Sequence, residues 1–246
     1  AGGSGKAASQ AAGSAQIQMM ARLSHFYFAS LEVLWAAALI GLPLTTFPAF
    51  ASRTGAIVTP FSGAPMLLML ALWLLPTLLL RRKRLPAEAW PVFLFVLVAL
   101  LSSAAAFFIE IPLLKNTTVF KQELRAFSTL AIGLAFYLVC ASWSQDAPRL
   151  RKSLQWIHIG GALMILWSFS QVWYILSGAD SYPNWLLKIQ LQLVIKPDYF
   201  FFRGNRTSGL AYEASWFGHQ LTTLYIPLWL SATFQRKSSF NFRAFG

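Results

Sequence analysis

The sequence predicts an all-α, polytopic membrane protein with about six transmembrane helices. Three observations lead there. The chain is 57% hydrophobic and only 11% charged over 246 residues, with a mean hydropathy of +0.54, whereas a soluble domain carries about 25% charged residues. Apolar runs of the length that crosses a bilayer, about 20 residues, recur along it. The connectors between most of them are too short to hold a separate soluble domain. The net charge of +12 does not indicate a nucleic-acid partner, because the Lys and Arg residues punctuate apolar runs instead of gathering on one hydrophilic face. A single cysteine, Cys140, excludes an intrachain disulfide framework and a Cys-based zinc site.

In chain order, residues 1–24 are rich in Gly, Ala and Ser and are expected to be a disordered cytoplasmic leader ahead of a single transmembrane domain, 25–246. The expected spans cover 27–49, 62–80, 90–109, 126–143, 155–177 and 214–234. Short loops rich in Lys and Arg stay on the cytoplasmic side, and the densest cluster is Arg81, Arg82, Lys83 and Arg84. Placing that loop inside puts both termini inside, together with twelve of the 20 basic residues. The other eight face out, and four of these, Lys188, Lys196, Arg203 and Arg206, crowd the longest external segment, 178–213. Either they anchor to lipid headgroups or they handle an anionic substrate.

That external segment opens on Trp185 to Ile195, where apolar residues fit both strand alternation and helical spacing, so periodicity does not choose between them. It is too polar to span and apolar enough to lie at the interface, with an aromatic belt at Tyr199 to Phe202 beside it. Next comes Arg203-Gly-Asn-Arg206-Thr-Ser208-Gly209, and then the start of the sixth run with Glu213, Ser215 and His219. Two guanidiniums beside the positive end of a helix form an anion pocket, and the planar fork of Arg suits a phosphate. Arg125, in Lys121-Gln-Glu123-Leu-Arg125 at the outer start of the fourth run, either reaches the same mouth or pairs with Glu123.

Arg206-Thr-Ser-Gly209-Leu-Ala-Tyr-Glu213-Ala-Ser215-Trp-Phe-Gly218 resembles the signature of the O-antigen polymerase and O-antigen ligase superfamily, particularly its exopolysaccharide polymerases, with Ala214 where the family usually has Pro. The likeness covers about 15 residues, and the many-span layout agrees with it. It implies a GT-C-like helical bundle in the bacterial inner membrane, multi-pass, acting as a glycosyltransferase on undecaprenyl-diphosphate-linked oligosaccharide at the outer face. Members of the family usually have ten or more spans, so this chain is expected to be the N-terminal portion of a longer protein.

Such a transfer needs cations for the departing diphosphate and a group that deprotonates or orients the acceptor hydroxyl. Arg206 and Glu213 are the expected catalytic residues; Arg203, Arg206, Arg125, Gly209 and His219 are the expected substrate-binding set. Glu213 also has a structural alternative as a helix cap. His219, six residues further on, does not share its face and also suits core hydrogen bonding. Gln171, with Trp167 and Trp173, is expected to pack helices, and Glu32 to reach toward Arg22. No metal and no cofactor are expected. The expected partners are the lipid-linked oligosaccharide, membrane lipids and other polysaccharide-assembly membrane proteins. An O-antigen ligase would use the same donor with a different acceptor. A transporter or flippase-like protein without chemistry, or an inert partner-binding segment, remains as an alternative from a different class.

Overall fold

The computed structural model describes residues 4–54, 59–80, 84–106, 108, 118–177, 183–195 and 206–235. Among them the chain is helical, without a strand. Five helices are long and apolar enough to cross a membrane: Gln18–Ile40, Gly63–Leu80, Ala87–Ala105, Phe120–Trp143 and Ala147–Leu176. Their outer faces are apolar, with Trp173 at 78% and Leu80 at 82% exposure. Apolar surface on that scale belongs in hydrocarbon, not water. The protein is a helical, multi-pass membrane protein.

The first helix, α1 (Ser4–Ile40), begins well before the expected span. The backbone of most of the segment expected to be a disordered leader is therefore helical, in keeping with its Ala residues at 7, 8, 11, 12 and 15, the strongest helix formers. The helix stops at Ile40, short of the expected 49. Pro43 disfavours helical geometry in the residue before it, and the Phe61 ring fills the space where a Cβ on Gly41 would stand. The chain then runs extended as far as α2 (Pro48–Thr54). Thr46 bridges Thr59 in parallel, with Phe47 N donating to the Thr59 carbonyl at 2.8 Å and Phe61 N to that of Leu44 at 2.9 Å. Phe47, Phe50 and Phe61 stack together on this corner.

The second span is α3 (Gly63–Met69), a π-turn over Leu70–Leu74 and α4 (Leu75–Leu80). A 3-10 turn at Ala87–Ala89 leads into α5 (Trp90–Ala106). The fourth helix, α6 (Val119–Trp143), starts seven residues ahead of the expected 126 because Thr118 caps it, its hydroxyl accepting from Lys121 N at 3.4 Å. Likewise α7 (Ala147–Leu176) starts at 147 instead of 155, behind Asp146 and with Pro148 in its first turn. The ambiguous external segment resolves as a helix, α8 (Asn184–Leu193), burying Leu186 and Gln190 on one face. The expected sixth span is helical throughout, as α9 (Ala214–Gln220), a second π-turn (Leu221–Tyr225) and α10 (Ile226–Phe234). It is not among the five candidates: His219, Gln220, Thr222 and Thr223 make it too polar.

Packing centres on α1. One core joins Leu31, Trp35 and Leu39 of α1 to Met66 and Met69 of α3, Leu74 of the π-turn, and Val139 and Trp143 of α6. A second joins Met164 of α7 to Ala211, Phe217 and Tyr225. Lipid tails are as apolar as Leu, so helices in a bilayer associate by close approach and not by apolar burial. Gly160 and Gly161 supply that approach. A Cβ on Gly160 would lie 2.7 Å from the Ile40 carbonyl oxygen, and one on Gly161 would lie 2.5 Å from the Tyr225 ring. Adjacent glycines thus seat α7 against α1 on one side and the last helix on the other.

Candidate functional site

The residues of the resemblance motif gather at the end of the bundle where α1 finishes and α9 begins. Their anchor is Gln171 in the C-terminal part of α7, 1% exposed. Its amide oxygen accepts from Ser208 N at 3.1 Å and from Gly209 N at 2.9 Å, and its amide nitrogen donates to the Gly209 carbonyl at 3.0 Å. One side chain therefore satisfies three backbone groups of a buried turn, which would otherwise stand as uncompensated desolvation. Gly209 has φ +58°, the left-handed region that favours glycine. A Cβ there would also meet the Phe217 ring at 2.8 Å and the Ser168 hydroxyl at 2.9 Å. The turn requires glycine for both its backbone angle and its space.

Two further ties fix this turn to the corner after α1. Tyr212 N donates to the Thr45 hydroxyl at 2.8 Å, and the Gln220 amide donates to the Leu42 carbonyl at 3.2 Å. The residues just after α8 join the same corner through Ile195 N, which donates to the Thr46 carbonyl at 3.3 Å. Five buried polar atoms in this region have no hydrogen-bond partner among the described residues: Thr46 Oγ1, Ser208 Oγ, Gln220 Oε1 and both amide atoms of Gln190. Buried polar atoms of this kind are matched by water or by the polar groups of a ligand.

Against this frame the expected site residues separate. Arg206 is exposed immediately ahead of the clamped turn. Glu213 is also exposed. It occupies the N-cap position of α9, but its carboxylate makes no capping bond to the helix backbone. It accepts instead from the Ser215 hydroxyl at 3.2 Å, so the carboxylate is oriented and open. Gly209 shapes the turn and offers no amide outward, because Gln171 holds both its N–H and its carbonyl. His219 is exposed, not in the core, and its carbonyl accepts from the Thr222 and Thr223 hydroxyls.

Arg125 belongs to the second turn of α6, which packs on α3 and α5, while the 206–219 segment packs on α7 and on the 42–46 corner; its side chain lies outside the described residues. Arg203 lies outside the described residues. Glu32 pairs with Lys152 at 3.1 Å, not with Arg22. Among the described residues no three His, Cys, Asp or Glu side chains come together as a metal site.

The residue that sequence reasoning undervalued is Gln171. The signal was present: an amide in the last third of an apolar span is costly in hydrocarbon unless something meets it. Thr45 and Gln220 carried no comparable signal, because polar residues at span ends are common. No protein-family model matches the chain, and comparison with curated proteins and with solved structures finds no match.

Proposed function

We propose that the chain carries the transfer site of a membrane glycosyltransferase of the O-antigen polymerase type, acting on undecaprenyl-diphosphate-linked oligosaccharide at the outer face of the bacterial inner membrane, with both termini cytoplasmic. The observation that carries this reading is the rigid turn at Ser208–Gly209. It holds an exposed guanidinium, Arg206, and an oriented, uncapped carboxylate, Glu213, at one end of the bundle.

In the proposed reaction the bond between the donor sugar's anomeric carbon and the diphosphate oxygen breaks. A bond from that carbon to an acceptor hydroxyl oxygen forms, and undecaprenyl diphosphate leaves with the electron pair. Arg206 stabilises the negative charge that grows on the diphosphate, through the two parallel hydrogen bonds its fork can donate. Glu213 takes the proton of the acceptor hydroxyl, its carboxylate steadied by Ser215. The unpaired Gln190, Thr46 and Ser208 groups suit a ligand rich in hydroxyls. A ligase reading shares every one of these steps and differs in its acceptor. The GT-C-like arrangement and association with other polysaccharide-assembly membrane proteins belong to the same proposal.

The test is polymerisation of a lipid-linked repeat unit in membranes. Replacing a charge-assisted contact by Ala costs about 1.5–3 kcal/mol, or about ten- to a hundredfold in rate. Arg206→Ala should show that loss, with Arg206→Lys in between because it keeps the charge and not the fork. Unchanged polymer from Arg206→Ala removes this residue from the mechanism. Movement of labelled substrate without any glycan product replaces the enzyme by a transporter.

A further inference from the structure

The opposite end of the bundle holds a second polar site that the proposed transfer does not use. About 14 residues of α1 separate Phe28 there from the Leu42 corner, or roughly 20 Å at 1.5 Å per residue. A cleft of about 410 Å3 opens between the Tyr27–Phe28 stretch of α1 and the ends of α4, α6 and α7, and a neighbouring cleft of about 360 Å3 shares Arg149 with it. Volumes in this range suit small-molecule headgroups.

The charges in these clefts are unevenly matched. Lys152 is paired with Glu32 at 3.1 Å, the one ion pair among the described residues. That leaves the guanidiniums of Arg84 and Arg149 lining the larger cleft with a single carboxylate, Asp146. Arg149 lies over the Trp143 ring, 4.7 Å from its centroid. Stacking of that kind immobilises a guanidinium by its face and leaves its N–H edge to donate. Ser142, whose buried hydroxyl has no partner among the described residues, and Gln145 line the same space. The Tyr27 hydroxyl is already committed, donating to the Leu72 carbonyl at 2.7 Å.

The other walls are apolar: Phe28, Trp73, Leu78 and Leu80. Leu79 and Leu80 stand 74% and 82% exposed on the outer surface of the bundle. The cleft therefore runs from two guanidiniums straight onto a hydrocarbon-facing surface. A free phosphate ion would use the first part and not the second. An anionic phospholipid would use both.

We propose that this cleft binds the phosphodiester headgroup of an anionic phospholipid, with Arg84 and Arg149 donating to the phosphate oxygens and an acyl chain lying along Leu78 to Leu80. Basic pockets between transmembrane helices have the right chemistry for such headgroups. Occupancy joins α1 to the ends of three other helices and stabilises the assembled bundle by mass action. The site is independent of the transfer reading, and each stands or falls without the other.

The experiment uses the full chain purified in detergent, exchanged into equimolar phosphatidylglycerol and phosphatidylcholine, and read by native mass spectrometry. Wild type should retain phosphatidylglycerol over phosphatidylcholine. A basic residue at a membrane surface contributes about 1 kcal/mol toward an anionic lipid, so Arg84→Gln and Arg149→Gln should each lower that ratio about fivefold. Arg151→Gln, on the same end but outside the cleft lining, should leave it unchanged. Arg84 sits on a connecting segment, so its variant reports even where Arg149→Gln impairs folding. Equal retention of both lipids by wild type, or an unchanged ratio in Arg84→Gln, overturns the site. Displacement of phosphatidylglycerol by millimolar inorganic phosphate would reassign it to a soluble anion.

Discussion

Replacing Gln171 by Leu is the most direct probe of the clamped turn. The change keeps the bulk of the side chain and strips all three hydrogen bonds, at 2.9, 3.0 and 3.1 Å, from Ser208 and Gly209. Each buried backbone group left unpaired costs about 1–3 kcal/mol. Three groups, with partial relief from entering water, give about 3 kcal/mol against the closed turn. Since 1.4 kcal/mol is a factor of ten, the opening equilibrium should rise about a hundredfold, and amide exchange in that segment with it. The assay is hydrogen–deuterium exchange in nanodiscs, comparing a peptide spanning 206–212 with one from the α1 core around Leu31 to Leu39. Gln171→Leu should accelerate the first and leave the second alone. Gln171→Asn should behave similarly, because its amide stops one methylene short. Exchange at 206–212 within about threefold of wild type would mean that the turn is held by something other than Gln171, and the site geometry built on it would fall.

The glycines give sharper contrasts. Gly209→Ala combines a strained backbone angle of about 1 kcal/mol with contacts at 2.8–2.9 Å to Phe217 and Ser168, so it should lower the thermal midpoint. Phe217→Ala in the same chain should recover part of the loss by removing one of the two contacts, which a double-mutant cycle will measure. Gly160→Ala should cost more than Gly161→Ala, by about 1 kcal/mol in a denaturant titration. The atom opposing Gly160 is the Ile40 backbone carbonyl, which cannot yield, whereas Gly161 faces the Tyr225 and Trp229 side chains.

Length and apolarity made five spans legible, because the hydrocarbon thickness sets them and nothing else in the fold competes. Their ends were less so. Thr118 and Asp146 begin α6 and α7 seven or eight residues early in positions that hydropathy ignores, while Pro43 ends α1 early through backbone sterics. Within the candidate site, Arg206 and Glu213 were legible as charges beside a glycine-containing turn, and both are exposed there. Which helices pack beside α6, the helix that carries Arg125, was not, since residue types alone do not order the helices of a bundle. Gln171 shows the same limit at closer range: its three partners lie 37 and 38 residues away.

Two helices hid part of their pattern for a common reason. Pro76 has no N–H to give the Leu72 carbonyl, and its ring would strike that carbonyl in a regular helix. The chain widens instead: Leu75 N donates to Leu70, five residues back, and the Tyr27 hydroxyl takes the Leu72 carbonyl. In the last helix Pro227 stands in the same relation to its π-turn, with Ile226 N donating to Leu221. Each such turn inserts one residue into the helical register, rotating everything beyond it by about 100°. The buried positions of the second span then fall at Pro65, Met66, Met69 and Leu74, and the step of five from Met69 to Leu74 is one that a regular helical period does not produce. On the far side of that shift, Trp73 and Leu74 face the larger cleft at the Arg84 end. In the last helix the shift carries Tyr225 onto Gly161. The two prolines therefore fix which residues meet α1 and α7 within each helix, and an unbroken helix through either segment would turn a different face to the core.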